Sequence, residues 1–192
     1  METKYSNLFI VPIGVGSSYA IYNTYLGHEL TIYSPIAILI VLLSLIYFLV
    51  DFILMIKFYD PNNKIYFIHH SIGLLSIYFV VFQYHFMIEY LISYLMFELS
   101  TPFLNSSKYY YKIKNNSLGV NILYIFSLIL FVFTFFITRI LFGTYLLLKV
   151  IPILYILPGW YKYTIMLPIT LQCLNYFWFY KIIQMLRKNK TD

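Results

Sequence analysis

Six ionisable side chains stand where the sequence is otherwise apolar: Asp51, His69, His70, Glu89, Glu98 and Arg139. Such a group costs about 2.5–3.5 kcal/mol to insert into a bilayer, so it is a functional-site candidate by default. Four of the six could do chemistry together. A carboxylate that accepts the N–H of one imidazole nitrogen orients the ring and leaves the other nitrogen as base or nucleophile. Asp51 lies six residues before Lys57, His69 and His70 five and six after Lys64, and Glu98 seven before Asn105. At ~1.5 Å of rise per helical residue, all four come ~8–10 Å inside the same edge. Two carboxylates and two imidazoles on three helices thus share one layer, and the spacing predicts a polar cavity open to the cytosol. Neighbouring helical residues point ~100° apart. One histidine can therefore face the cavity while the other bonds a carboxylate on the next helix. The rival reading is a buried His–carboxylate pair that only ties helices together. His, Asp and Glu are also metal ligands. However, adjacent histidines are poor ligand spacing on a helix and neither HxxxH nor HxxH occurs, so no metal is expected.

The elements that position this layer follow from composition. Of 192 residues, 61% are hydrophobic, 22% aromatic and 10% charged, against roughly 25% charged in soluble domains. The mean hydropathy of +0.78 agrees. A soluble globule, a disordered chain and a nucleic-acid-binding module are excluded, which leaves a multi-spanning membrane protein. The apolar runs are Leu8 to Tyr25, Ser34 to Ile56, Ile65 to Phe82, Phe86 to Leu104, Leu118 past Leu148, and Tyr163 to Met185. The first carries Pro12, Gly14 and Gly16, and its short apolar start followed by Ser18-Tyr19-Ala20 also fits a signal peptide, so residues 1–25 stay open between span and leader. The fifth is too long for one crossing and is expected to break at Gly143. Residues 144–157 then form a short broken helix that does not cross. With six spans and a cytosolic N-terminus, ten basic residues fall on the cytosolic side and only Lys149 and Lys162 opposite, the bias expected of short cytosolic loops. Trp160 and Tyr161 mark the far interface.

The same layout places the remaining polar residues. Arg139 comes ~30 Å from the cytosolic end of its helix and is expected to snorkel at the far edge. His28, Glu29, His85 and Glu89 also belong to the far side. Gln172 and Asn175 lie deeper, as interhelical glue or cavity lining. Pro102 removes a helix hydrogen bond and is expected to kink the fourth helix beside Glu98. The longest loop is read as Asn105 to Ser117, with glycosylation triplets at Asn105-Ser106-Ser107 and Asn115-Asn116-Ser117. The single Cys173 forms no internal disulfide, and GxSxG, P-loop, GxGxxG and CxxC motifs do not occur. The expected architecture is an all-α bundle of about six transmembrane helices, one domain over residues 1–187, followed by a short basic cytosolic tail at 188–192.

Several segments resemble the TLC-domain family (TRAM, Lag and CLN proteins). His69-His70 begins a span and Phe97-Glu98-Leu99-Ser100-Thr101-Pro102-Phe103-Leu104-Asn105 ends the next. Phe135-Phe136-Ile137-Thr138-Arg139-Ile140 and Asn175-Tyr176-Phe177-Trp178-Phe179-Tyr180-Lys181-Ile182-Ile183 follow in order, and Ile46-Tyr47-Phe48-Leu49-Val50-Asp51 fits the Tyr-plus-Asp span of the family's small branch. The likeness covers roughly residues 1 to 187. It implies a lipid-accommodating helical bundle, usually in the endoplasmic reticulum or a related membrane. In the ceramide synthases of this family the paired histidines are essential to acyl transfer from acyl-CoA. Carried over, His69 and His70 are the reactive pair and Glu98 a nearby polar partner; from their placement, Asp51 is expected to support them as well, and Ser100, Thr101, Asn105, Gln172 and Asn175 to line the lipid cavity. Acyl-CoA is then the implied co-substrate and membrane lipids the partners. This chain lacks the Ser-Tyr-x-x-Asn-x-x-Arg and His-Asp-x-x-Asp segments of the full synthase motif, which sets it in the small branch. Its Lys188-Asn189-Lys190-Thr191-Asp192 tail has the KxKxx form of a retrieval signal, or is a plain basic tail.

Three functions stand at this point. The first is a lipid-handling or lipid-modifying protein, with His-dependent acyl transfer as its chemistry. The second is a non-enzymatic lipid sensor, organiser or membrane scaffold. The third is a transporter, against which stands the lack of a polar path to the far face.

Overall fold

A membrane helix is recognised by being apolar all round while burying only one stripe. The second helix, α2 (Pro35–Lys57), has that character. Ala37, Ile40, Val41, Ser44, Tyr47 and Phe48 are buried at helical spacing, whereas Leu39, Leu42, Ile46, Leu49 and Ile53 on the other faces are exposed. It starts on Pro35, whose fixed φ suits the first helical position, and ends on Lys57, a cation at the negative end of the helix dipole. The computed structural model describes residues 6–25, 31, 33–58, 64–113 and 118–188. Among these no strand occurs, and three helical runs are long and apolar enough to cross a membrane: Pro35–Lys57, Lys64–Phe82 and Leu118–Tyr155. The protein is an all-α integral membrane bundle, as its composition requires.

The chain forms two compact units, Met1–Leu99 and Ser100–Asp192. In the first, α1 (Ser6–Tyr25) packs on α2 and on α4 (Ile88–Leu95), and α2 packs on α3 (Lys64–Phe82). Two glycines make these contacts close. A Cβ on Gly14 would come 3.2 Å from the backbone nitrogen of Leu99, and one on Gly73 would come 3.0 Å from the Phe48 ring. Neither position has room for a side chain, so α1 sits against the backbone next to Glu98 and Phe48 sits against α3. A 3₁₀ turn, Met96–Ser100, follows α4 and carries Glu98. Pro102 explains it, because the missing N–H is the one that would bond the Glu98 carbonyl in a continuous α-helix. The expected kink is therefore a stretch of tighter winding.

The second unit consists of α5 (Thr101–Lys112), α6 (Leu118–Phe135), a π-helical stretch Phe136–Phe142, α7 (Gly143–Tyr155), a 3₁₀ turn Gly159–Ile165 and α8 (Met166–Lys188). Its core is Phe131, Phe135 and Ile182, with Phe103, Leu104, Trp178, Phe179 and Leu186 packed around them. The Phe135 and Phe179 rings stack at 6.3 Å.

Two expectations are corrected here. Residues Asn105–Lys112 are helix rather than loop, because Phe103 and Leu104 anchor α5 to that core; Asn105-Ser106-Ser107 is thus helical, and Asn115-Asn116-Ser117 lies outside the described residues. Gly143 does not break the fifth run. Its φ of −61° and ψ of −40° are helical, and the winding relaxes into the π stretch before it. The short helix expected near 144–157 is α7, with Pro152 inside it. The helical run Leu118–Tyr155 has 38 residues, roughly 55 Å of rise.

Candidate functional site

In the first unit, α2 presents Tyr47, Phe48 and Asp51 within one turn, and α3 presents His69, His70 and Gly73 within one turn. Their side chains meet. His70 Nε2 lies 3.3 Å from Asp51 Oδ2. His69 Nε2 lies 3.8 Å from Glu98 Oε1. The two imidazole rings stand edge to face at 5.4 Å. Asp51, His70, His69 and Glu98 thus form a continuous row across α2, α3 and the 3₁₀ turn. Aromatic rings wall it: Phe48 lies 5.4 Å from the His70 ring and 6.1 Å from the His69 ring, and Tyr47 lies 6.0 Å from His70. Glu98 and His70 are buried, while the side chain of Asp51 keeps 24% of its surface. The row is therefore open at the Asp51 end and closed at the Glu98 end.

The hydrogen count of this row follows from one bond. His70 Nδ1 lies 2.9 Å from the carbonyl of Tyr66, one turn earlier. A carbonyl only accepts, so Nδ1 carries a hydrogen and donates it. The contact of Nε2 with the Asp51 carboxyl is then attractive only when a further hydrogen sits on one of the two atoms. Nε2 and Oδ2 are close enough for an ion pair but are not aligned as a hydrogen bond. The arrangement differs from the expected one, in which a carboxylate occupies one ring nitrogen and the other is open. In His70 it is Nδ1 that is committed, to a backbone carbonyl, because a helical histidine reaches the carbonyl four residues back more easily than anything beyond it. Both carboxylates address Nε2 atoms. Among the described residues no three such groups converge as metal ligands.

The second unit holds a polar network of another kind. Arg139, in the π stretch, is buried. Its Nε donates to Ser100 Oγ at 3.1 Å and its Nη2 to Thr101 Oγ1 at 3.3 Å, and the guanidinium lies 5.3 Å over the Phe135 ring. Gln172 donates from one nitrogen to the Arg139 carbonyl at 3.0 Å and to Thr144 Oγ1 at 3.3 Å. Asn175 donates to Gln172 Oε1 at 3.4 Å. Thr144 donates to the Ile140 carbonyl, so Tyr176, 2.7 Å away, donates to Thr144. A π stretch inside a helix often marks a functional position. Here it carries the arginine that the network holds.

The expectation that Arg139 snorkels is corrected: it points inward because two hydroxyls from the start of α5 and an aromatic face receive it. Ser100 and Thr101 are its partners, and Gln172 and Asn175 belong to the same network. Asn105 is half-buried on α5. Glu89 is exposed at the start of α4, and His85 is exposed with its Nε2 donating to the Val81 carbonyl. His28 and Glu29 lie outside the described residues. Sequence reasoning missed Arg139 as an organiser, although a lone arginine in a run this apolar was the available signal. It also missed Tyr47 and Phe48 as the wall, although they stand one turn before Asp51.

Fold and site together define a polytopic membrane protein with an imidazole–carboxylate row inside its helical bundle. The TLC domain matches residues 2–184. A TLC domain-containing protein of Acanthamoeba polyphaga mimivirus is 44% identical over 194 residues, covering 97% of this chain and 94% of that protein. The chain belongs to the TLC-domain family.

Proposed function

We propose that this protein binds the polar end of a membrane lipid at the Asp51–His70–His69–Glu98 row and transfers an acyl group to it from an acyl-CoA thioester. The observation that supports this reading is the row itself, two imidazoles in contact with each other and each with its own carboxylate. His69 is the reacting ring. It has the larger side-chain exposure of the two, 12% against 6%, whereas the Nδ1 of His70 is committed to the Tyr66 carbonyl. In the reaction, His69 takes the proton from a lipid hydroxyl or amine. The oxygen or nitrogen attacks the thioester carbonyl, the C–S bond breaks, and the thiolate leaves with the proton from the imidazolium. One acylated lipid and one free CoA thiol result. Glu98 stabilises the imidazolium, and His70 with Asp51 fixes the ring beside it. The setting we propose is the endoplasmic reticulum or a related endomembrane, with both termini cytosolic, on the strength of the family likeness and the one-sided lysines.

A second reading has a specific observation in its favour. The absent synthase segments and the commitment of His70 Nδ1 to a backbone carbonyl suit a protein that senses or organises lipids without turnover. One experiment separates the two. The full chain is reconstituted in lipid vesicles with labelled acyl-CoA, and lipid label and free thiol are followed together. Equal appearance of both, reduced about 100-fold or more in His69→Ala, is the expected result. No label in any lipid class and no thiol release removes the enzymatic reading. Lipid that still copurifies with His69→Ala then supports the second.

A further inference from the structure

Charge is divided unequally between the two units. Residues 1–99 carry three basic and six acidic side chains, whereas residues 100–192 carry ten basic and one acidic, Asp192. A topology signal alone would load both halves at their cytosolic ends. Here the excess lies in one half, and the geometry gathers part of it at one end of that unit. Phe103 and Leu104 of α5 share a core with Phe131 of α6 and with Ile182 and Leu186 of α8. Lys108 and Lys112 lie one and two turns beyond Leu104, and Arg187 follows Leu186. All three therefore sit where α5 and α8 both finish. The ring contact of Tyr111 with Tyr124 at 5.7 Å holds the α5 end against α6. Tyr109 and Tyr111, which lie between Lys108 and Lys112 in the chain, are 59% and 63% exposed. Amphipathic rings in such numbers settle at the membrane–water interface, which sets the lysines and arginine at headgroup depth. Lys149 and Lys162 belong to the opposite end, since α7 runs away from α5 and α8 returns.

We infer that this end of the second unit is a docking surface for anionic phospholipid headgroups of the leaflet that the protein occupies. The occupant follows from charge complementarity: the unit carries ten basic side chains against one acidic, and part of that excess lies at the depth of phosphate and carboxylate headgroups. Each basic side chain near such a surface changes the apparent affinity by roughly fivefold. The inference does not depend on acyl transfer.

The test is thermal unfolding of the full chain in discs of phosphatidylcholine, with and without phosphatidylglycerol. The anionic lipid should raise the unfolding temperature, and added salt should reduce the rise by screening. The triple variant Lys108→Gln/Lys112→Gln/Arg187→Gln should lose the rise, Lys112→Gln alone should lose part of it, and Lys149→Gln/Lys162→Gln should keep it. The phosphatidylcholine arm reports the fold of each variant, and the single variant carries the test if the triple one does not fold. An equal response of wild-type protein to both lipids overturns the inference, as does an undiminished rise in the Lys112 variant together with the triple variant. A rise with free coenzyme A that is lost in the triple variant would also overturn it, because these three residues would then serve a soluble anion.

Discussion

The imidazole–carboxylate row of the first unit and the arginine–amide network of the second solve the same problem in different ways. Both keep polar groups inside an apolar bundle. In the row, each imidazole faces a carboxyl group, at 3.3 and 3.8 Å, and all four groups are of types that can gain or lose a hydrogen. In the network, a permanently charged guanidinium is met by neutral hydroxyls, amides and a ring face. Arginine cannot give up its proton in a protein, so that network cannot pass one on. A proton-moving site needs groups that exchange hydrogen and contacts loose enough to permit it. A framework needs the opposite. On the proposed function, the difference suits the first unit to proton transfer and the second to a rigid framework.

Mutations can break or sharpen this contrast. The largest effect is expected from His69→Ala: acyl transfer should fall about 100-fold or more, with thermal unfolding in detergent little changed. A matching collapse of stability would mean that the row is structural after all. Gln172→Leu should do the reverse. It removes the donor to the Arg139 carbonyl and to Thr144 and the acceptor for Asn175, for about 2 kcal/mol of stability, while vesicle activity per folded molecule persists. Gly73→Ala forces a Cβ to 3.0 Å from the Phe48 ring and should cost about 1–2 kcal/mol. Because Phe48 walls both histidines, this variant should also slow transfer, which would show that the wall and the row act together. The smallest change is Tyr176→Phe, which removes one hydrogen bond to Thr144 and should cost about 0.6 kcal/mol. A larger loss would mark the network as more cooperative than its separate bonds.

Much of the first unit was legible before any coordinates. Ionisable residues stand out in apolar runs, and the constant rise of a helix converts their distance from Lys57, Lys64 and Asn105 into depth. Pro102 announced irregular winding near Glu98 for the same elementary reason, a missing N–H. The second unit was less readable. Lys, Tyr, Asn and Ser between Asn105 and Ser117 have the composition of a loop, yet Phe103 and Leu104 bind the start of α5 so firmly to α6 and α8 that the helix continues to Lys112. Nothing in the run around Gly143 distinguishes a break from a π stretch, because the two differ in how Arg139 and Gln172 meet.

The linear order of residues by itself determined that this is a helical membrane protein and that two carboxylates and two imidazoles lie at one depth. Those properties depend on transfer free energy and helical rise, which are local or additive. Only the tertiary structure decided which acid faces which ring, that His70 spends its second nitrogen on Tyr66, and that Arg139 turns inward. These depend on the rotation of each helix about its own axis. Rotation is set by the close approach that glycines such as Gly73 permit and by side chains far apart in the chain, so counting along one helix cannot supply it.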